Sequence, residues 1–301
     1  MKHIVGSVVV SLALAGSAAS ASVLTQYNLI VAGNLDSNQE VEGRTFVGGN
    51  LSGPASNYGT MLTPPAAFLG TDVLQVAGNI TAGNINMQAG NLRRAGSRSG
   101  NLNLNGGGSE IIDPSLVSLA SSITLELNST STILGALTPD SSVSFPSGQP
   151  GAATFNATPG ADGLAVFNVT AAAVTSGLIQ QYDLNVNGAS AIVINVTGAS
   201  ASFNAGNFVG NWTSQFARAN VIWNFIDATS ISIDRQFFGA VLAPGATLTN
   251  STSIEGSVFV GAFIQRGEVH LPSYTGFVPA PGAIVLAAVA LAPVARRRRA
   301  A

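Results

Sequence analysis

The sequence predicts an all-β protein, built as an irregular β-solenoid (β-helix) with one flanking amphipathic α-helix. A four-residue glycine-asparagine motif recurs seven times, short β-branched segments end at glycines, and an eight-residue repeat alternates with the strand period of two. The 301 residues are 46% hydrophobic but only 9% charged. Ordinary soluble domains have about 25% charged residues, so this composition is typical of an extracellular β-protein.

The seven motifs each consist of a small residue, glycine, asparagine and an apolar residue. They begin at Ala32, Gly48, Ala77, Ala82, Ala89, Ser99 and Ala205. Glycine and asparagine tolerate a left-handed backbone, so each pair can turn a corner before a new strand. The irregular spacing predicts a solenoid with loops. Because such dipeptides also make hairpin turns, a β-sandwich is the alternative fold.

A longer repeat joins two distant parts of the chain, residues 41–48 and 254–261. Both copies alternate after a Glu-Gly pair, and we expect them to occupy equivalent turns of the solenoid. Further strands of the C-terminal half are expected at residues 184–188, 191–198, 220–225 and 230–233.

One segment between these strands has helical spacing instead. Asp113 and Pro114 suit the cap and the first turn of a helix. Apolar residues then recur at Leu116, Leu119, Ala120, Ile123 and Leu127. The pattern predicts a single amphipathic helix that covers an apolar flank or an end of the β-stack.

Residues 1–21 have the parts of a secretory signal peptide. A lysine near the start is followed by an apolar run, and Ala19 and Ala21 give the small-x-small pattern that signal peptidase recognises. The apolar run is shorter than the roughly 20 residues that span a bilayer, which disfavours a membrane anchor here. We therefore expect export and a mature chain that begins at Ser22.

Residues 277–301 have the order of a C-terminal sorting signal, with a proline-rich stretch, a short apolar segment and a block of arginines. The residues concerned are Val278, Pro279, Pro281 and Gly282, then Arg296, Arg297, Arg298 and Arg299. Arginines that follow an apolar segment stay cytoplasmic, which leaves the preceding chain outside. The segment resembles the PEP-CTERM signals of Gram-negative bacteria, which implies cleavage by an exosortase-like protease after transient contact with the membrane. A retained single-span anchor is the alternative.

The predicted mature domain, residues 22–276, has seven arginines and fourteen acidic residues, which give a formal charge of −7. This charge repels a phosphate backbone, so nucleic acid is excluded as a partner. The chain has no cysteine, which excludes disulfides, thiolate nucleophiles and cysteine-bound metals. We expect no cofactor.

Few residues could carry catalysis. A β-helical polysaccharide lyase or glycosidase needs paired carboxylates or an Arg/Lys base. The candidates are Asp227, Asp234, Arg235 and Glu255. Their spacing brings no two of them together, so positions in turns are expected instead. His270 is the only histidine of the mature domain and cannot form a multi-histidine metal site, which predicts a structural or surface role.

Three further polar patterns have weaker functional meanings. Residues 105–110 resemble a glycine-rich calcium turn but lack its aspartate, so a loop is expected. Seven Asn-x-Ser/Thr triplets could accept glycans, but hydrogen bonding between stacked asparagines explains the same residues. Rows of threonine would suit ice or crystalline carbohydrate, yet Thr-x-Thr occurs only at 130–132 and 247–249.

Five segments of the chain match the motifs of a known family, and these are residues 27–31, 41–50, 221–225, 239–244 and 254–256. The chain resembles this family, the choice-of-anchor A domain. The resemblance implies a secreted bacterial surface protein with an adhesive, ice-binding-like β-solenoid that is followed by an anchor segment. The family has no catalytic residues to assign in this chain.

The sequence thus predicts a secreted cell-surface or extracellular-matrix protein of a Gram-negative envelope, with a structural or adhesive role and no catalysis. Expected partners are extracellular polysaccharide or matrix and neighbouring cells, besides the export and sorting machinery. A carbohydrate-active β-helical enzyme is the alternative, and ice binding is a weaker one.

Overall fold

The computed structural model describes residues 22–278, which fold mainly into short parallel strands. The helices are α1 (Val23–Gln26), α2 (Leu116–Gly135), α3 (Ala171–Val174) and α4 (Gln215–Asn220), with 3₁₀ turns at Pro65–Phe68 and Gly210–Thr213. The strands of the first half are β1 (Leu29–Val31), β2 (Leu35–Ser37), β3 (Glu40–Val41), β4 (Thr45–Val47), β5 (Leu51–Ser52), β6 (Ala55–Tyr58), β7 (Asp72–Val76), β8 (Asn84–Met87), β9 (Asn91–Arg94), β10 (Asn101–Leu104) and β11 (Glu110–Ile112). Those of the second half are β12 (Ser142–Ser144), β13 (Gly151–Asn156), β14 (Leu164–Thr170), β15 (Ile179–Asn185), β16 (Ala191–Thr197), β17 (Ser200–Phe203), β18 (Asn207–Phe208), β19 (Val221–Phe225), β20 (Ser230–Ile233), β21 (Phe237–Phe238), β22 (Ala240–Asn250), β23 (Ile254–Glu255), β24 (Val258–Gln265) and β25 (Val269–His270).

Strands from successive turns stack in register and form three long faces. A separate four-stranded sheet has the order β12-β13-β15-β18, in which the pair β12–β13 is antiparallel and the other pairs are parallel. The covered face, on which α2 packs, has the order β11-β9-β7-β4-β1-β24-β22-β19-β16-β14. The hydroxyl face has the order β17-β20-β22-β24-β2-β5, because β22 and β24 bend around a corner and serve both faces. The amide face has the order β10-β8-β6-β3-β25-β23-β21. The pairs within these faces are parallel, so the predicted β-solenoid is confirmed and the sandwich of hairpins is not the fold.

The chain does not climb the solenoid in one direction. Strand β1 lies between β4 and β24, so the first and last turns are neighbours. The first half climbs from β1 to β11, α2 crosses back along the covered face, and the second half returns from β14 to β24. The repeats at 41–48 and 254–261 therefore occupy equivalent positions on either side of β1. The 20-residue helix is about 30 Å long and the ten stacked strands span about 43 Å, so α2 bridges most of the stack.

Strand alternation separates two hydrophobic cores. On β1, Leu29 and Val31 point into the solenoid, whereas Ile30 points toward α2. The inner core contains stacked indole rings, with the centroids of Trp212 and Trp223 5.4 Å apart. The outer core lies between the covered face and the buried helix residues Leu116, Ile123, Leu127 and Leu134. Each such side chain contributes about 1.5–3 kcal/mol on burial, which holds the helix on the sheet.

The predicted helix is confirmed and is longer than its apolar pattern indicated. It begins at Leu116 and ends at Gly135. Asp113 Oδ1 accepts a hydrogen bond from the backbone N–H of Ser115 at 2.9 Å, just before the first turn. Leu119 lies at the edge of the buried stripe and is 38% exposed. The short helices α1, α3 and α4 are additions that no apolar pattern indicated.

The glycine-asparagine motifs form corners of the solenoid, but for a reason that differs from the prediction. Among the seven motif glycines, only Gly90 and Gly206 have a positive φ, at 59° and 74°. Elsewhere the glycine lies against the neighbouring turn: a Cβ on Gly78 would be 2.4 Å from the carbonyl oxygen of Gly49. Most of these glycines therefore permit close stacking of the backbone and not a left-handed conformation.

The asparagines of these corners bind the next turn. Asn34 Oδ1 accepts the backbone N–H of Asn50 at 2.8 Å, and Asn50 Oδ1 accepts that of Asn79 at 2.8 Å. Asn79 Oδ1 in turn accepts the N–H of Ser97 at 2.9 Å. Each side chain thus satisfies a backbone donor at the corner of the next turn, as expected for stacked asparagines.

Several predicted processing residues lie outside the described residues. They are Ala19, Ala21, Pro279, Pro281, Gly282, Arg296, Arg297, Arg298 and Arg299. The last described residues, Phe277 and Val278, pack against the outer core. Between residues 22 and 278, no helix has the length and apolar character needed to cross a membrane.

Candidate functional site

Two columns of hydroxyl side chains stand on the hydroxyl face. One column is Ser200, Ser230 and Thr247, and the other is Ser202, Ser232 and Thr249. The residues between them, such as Ile231 and Leu248, are fully buried in the inner core. Because side chains alternate along a strand, this burial turns the hydroxyls outward. Ser232 Oγ donates to Ser202 Oγ at 2.8 Å, so neighbouring turns are also linked through the column.

The second column continues across the hydroxyl face. Its further members, in order, are Ile264, Asp36 and Ser52. The parallel bridges from Leu51 to Ile80 and from Ile80 to Arg98 extend the same register, which puts Thr81 and Ser99 next in the column. Eight side chains at the spacing of stacked strands form a row about 34 Å long. Asp36 is paired with Arg266, whose guanidinium lies 2.7 Å from its Oδ1. The row therefore has a long regular geometry and no net charge.

The sequence analysis found only part of this face. It identified Thr247 and Thr249 but missed the Ser-x-Ser pairs at 200–202 and 230–232. The alternation of serine and isoleucine in the expected strand at 230–233 is the signal that could have revealed these pairs. The other Thr-x-Thr pair does not belong to the face, because Thr130 lies in α2 and is buried there.

The amide face carries carboxamides in its first half. Asn103 Nδ2 donates to Asn86 Oδ1 at 2.8 Å, and Asn101 Nδ2 donates to Asn84 Oδ1 at 3.0 Å. These pairs lie directly opposite each other on β10 and β8. These hydrogen bonds link neighbouring turns of the solenoid, and the Asn103 side chain remains exposed.

Glu255 and His270 meet in the second half of the amide face, where β23 pairs with β25. His270 Nδ1 lies 2.9 Å from Glu255 Oε1, and its Nε2 lies 2.7 Å from Glu268 Oε2. Arg218 lies 3.0 Å from Glu255 Oε2. The Glu255 side chain is only 4% exposed, and both of its oxygens are engaged.

In this cluster, burial and hydrogen bonding shift the pKa values of Glu255 and His270 in opposite directions. Desolvation raises the pKa of Glu255, but hydrogen bonds from His270 and Gln236 outweigh it and lower this pKa to about 2. The hydrogen bond to Glu255 raises the pKa of His270 from 6.5 to about 9, against the effect of desolvation. Stabilisation through His270 is therefore complete below pH 6.5 and is lost as pH rises through about 9. Stabilisation through Glu255 is complete above pH 4.5 and is lost as pH falls through about 2.

The other catalytic candidates are not brought together. Asp227 is exposed between β19 and β20, whereas Asp234 lies at the next corner and accepts a hydrogen bond from a serine hydroxyl at 2.8 Å. Arg235 is exposed and donates to a backbone carbonyl at 3.4 Å. Of these four candidates, Glu255 alone contacts His270, and the polar atoms of both side chains already have protein partners. This arrangement holds β23 and β25 together, because Glu255 and His270 lie opposite each other on these paired strands.

The glycine-rich segment 105–110 ends in a paired carboxylate. Glu110 accepts hydrogen bonds from Arg98 at 2.9 and 3.0 Å and from Arg94 at 2.5 Å. The hydrogen bond from Arg98 is the main reason that the pKa of Glu110 falls to about 2. Across the described part of the chain, no group of three His, Cys, Asp or Glu residues could hold a metal ion.

The asparagines of the Asn-x-Ser/Thr triplets have several structural roles. The residues are Asn79, Asn128, Asn156, Asn168, Asn195, Asn211 and Asn250. Asn195 Nδ2 donates to Asn168 Oδ1 at 3.2 Å, and Asn156 Oδ1 accepts from Asn185 at 2.7 Å. Asn195 and Asn250 are buried, so their side chains serve stacking and are closed to a glycan.

A family model covers most of the chain. The model of the family described as "Putative Ice-binding-like adhesive domain" matches residues 20–271, and the chain belongs to this family. An ice binding protein from an Antarctic Biological Consortium has 16% identity and a TM-score of 0.40, over 87% of this chain and 95% of that chain. An ice-binding protein from the Antarctic ascomycete Antarctomyces psychrotrophicus has 11% identity and a TM-score of 0.29, over 83% and 96%. No curated protein matches the chain.

Proposed function

We propose that this protein is a secreted, non-catalytic adhesin that binds extracellular polysaccharide or matrix through its hydroxyl face. The observation that carries the proposal is the pair of in-register columns, one through Ser230 and Thr247 and the other through Ser232 and Thr249. Serine and threonine hydroxyls both donate and accept hydrogen bonds, as sugar hydroxyls do. The stacked strands fix these groups about 4.8 Å apart between turns, so a long polymer meets several of them without rearrangement of the protein.

The electrostatics of the exposed faces support a neutral ligand. The ion pair between Asp36 and Arg266 cancels the charge in the hydroxyl row. The domain as a whole is acidic, which disfavours polyanions such as nucleic acid. The polar atoms of Glu255 and His270 already have protein partners. We therefore favour a binding protein over a carbohydrate-active enzyme.

Export and anchoring belong to the same proposal. Signal peptidase would remove residues 1–21, and residues 277–301 would act as a PEP-CTERM-like signal for an exosortase-like protease. The protein would then reside on the outer surface or in the matrix of a Gram-negative bacterium. The resemblance to the choice-of-anchor A family is consistent with this location, since it implies a surface domain followed by an anchor.

A co-sedimentation assay tests the binding face. The exported protein is incubated with insoluble polysaccharides, and Ser232→Arg is compared with Asn103→Arg, an equally bulky change on the amide face. A ligand on the hydroxyl face should bind Ser232→Arg about tenfold more weakly than it binds the wild type or Asn103→Arg. This change corresponds to a loss of about 1.4 kcal/mol in binding free energy. Equal binding by both variants would contradict the proposed face. Release of reducing or unsaturated sugars would contradict the non-catalytic role.

Ice is a second candidate ligand, because the same regular hydroxyl columns could order water. Thermal hysteresis of the purified protein distinguishes the two ligands. A hysteresis that disappears in Ser232→Arg, without polysaccharide binding by the wild type, would replace the polysaccharide proposal with ice. Absence of hysteresis would remove ice as a ligand.

A further inference from the structure

Helix α2 is uncharged over its whole length except for Glu126. This carboxylate does not point into open solvent but contacts the first described residues. Ser22 Oγ donates to Glu126 Oε1 at 2.8 Å, and the backbone N–H of Val23 donates to the same oxygen at 2.9 Å. None of the ion pairs within residues 22–278 includes Glu126.

The surroundings of Glu126 fix its position. Ser22 caps α1, because its Oγ accepts the backbone N–H of Leu24. Val23 and Leu24 are buried in the outer core, to which Ile123 of α2 also belongs. The start of the described chain is thus held against the helix by apolar contacts, with the carboxylate directly beside it.

The sequence independently places the end of the signal peptide at the same point. Hydrolysis of the peptide bond between Ala21 and Ser22 adds water, leaves a carboxylate on Ala21 and gives Ser22 a protonated amino group. That nitrogen belongs to the residue whose hydroxyl already contacts Glu126. Both observed hydrogen bonds end on Oε1, and a carboxylate has a second oxygen that accepts hydrogen bonds.

We propose that Glu126 is the docking site for the α-ammonium group of Ser22, which forms when the signal peptide is removed. The precursor has no charge at this nitrogen, so the ion pair exists only in the processed chain. Processing therefore strengthens the attachment of α1 to α2 after export. This inference is independent of the ligand of the hydroxyl face.

The composition of the chain allows a direct experiment. The only lysine is Lys2, within the predicted signal peptide, so the amino group of Ser22 is the sole primary amine of the processed protein. The full-length gene product is exported from a Gram-negative host, and intact mass defines its first residue. An amine-reactive reagent is then applied over a range of pH, and mass spectrometry measures the labelled fraction. The variant Glu126→Gln is compared with Asp227→Asn, which removes an exposed carboxylate elsewhere.

A carboxylate partner should shift the labelling midpoint of the wild type and of Asp227→Asn about half a pH unit above that of Glu126→Gln. This corresponds to roughly threefold slower labelling below the midpoint. If Glu126→Gln does not fold, the wild type in about 1 M salt provides the comparison, because screening should lower its midpoint. A first residue other than Ser22 would overturn the proposal. Equal midpoints in wild type and Glu126→Gln, or a wild-type midpoint insensitive to salt, would overturn it as well.

Discussion

Asn168, Asn195 and Asn224 form a ladder of side-chain hydrogen bonds that joins α2 to the covered face. This asparagine ladder supports a specific stability prediction. Asn224 is fully buried, and its Nδ2 donates to the carbonyl of Ser131 and to Asn195 Oδ1, both at 2.9 Å. Its Oδ1 accepts from Ser131 Oγ at 2.7 Å. Asn224→Ala removes three hydrogen bonds of about 1 kcal/mol each and leaves buried partners unsatisfied, so the free energy of unfolding should fall by about 4 kcal/mol.

Asn168→Ala is the matched control, because Asn168 occupies the exposed end of the same ladder. It accepts one hydrogen bond, from Asn195 Nδ2 at 3.2 Å, and its loss should cost less than about 1 kcal/mol. Urea denaturation followed by the fluorescence of the buried Trp212 and Trp223 measures both changes. Equal effects of the two substitutions would refute the role assigned to the buried ladder.

Three further predictions concern stacking, pH and location. Gly48→Ala places a methyl group 2.2 Å from a carbonyl oxygen of the neighbouring turn and should cost about 2 kcal/mol in urea denaturation, whereas Gly177→Ala meets no atom within 4 Å and should cost far less. Glu255→Gln should reduce the loss of thermal stability that His270 produces between pH 6.5 and about 9, and an undiminished loss would contradict their pairing. A chain that ends at Val278 should move from the envelope to the medium in cell fractionation; identical partitioning, with the terminal arginines still present in the mass spectrum of the full chain, would exclude a sorting role.

The local elements of the fold were predictable because each turn of the solenoid repeats a short signal. Leu51 and Ile80 both follow a Gly-Asn corner, and both are buried in the inner core. The order of the turns was not predictable from these signals. Leu29 pairs with Val258, and no local periodicity links residues so far apart. The repeat at 41–48 and 254–261 was the one indication that the two ends of the domain meet.

The hydroxyl face was less predictable, because the register of whole turns decides which residues lie on it. Ser202 and Ser232 are 30 residues apart, whereas Ser232 pairs with Thr249 across a much shorter turn. Serines that share a face therefore have no fixed spacing in the sequence. The contact between Glu255 and His270 has the same origin, since their pairing depends on the length of one turn.

Oxidative footprinting of the protein bound to an insoluble polysaccharide tests the role of the hydroxyl face most directly. Exposed apolar side chains report on separate surfaces: Ile264 on the hydroxyl face is 41% exposed, Leu125 on α2 is 68% exposed and Met61 in a loop is 56% exposed. Binding through the hydroxyl face should protect Ile264 and leave Leu125 and Met61 as reactive as in the free protein. Protection of Leu125 or Met61 with unchanged oxidation of Ile264 would contradict the account.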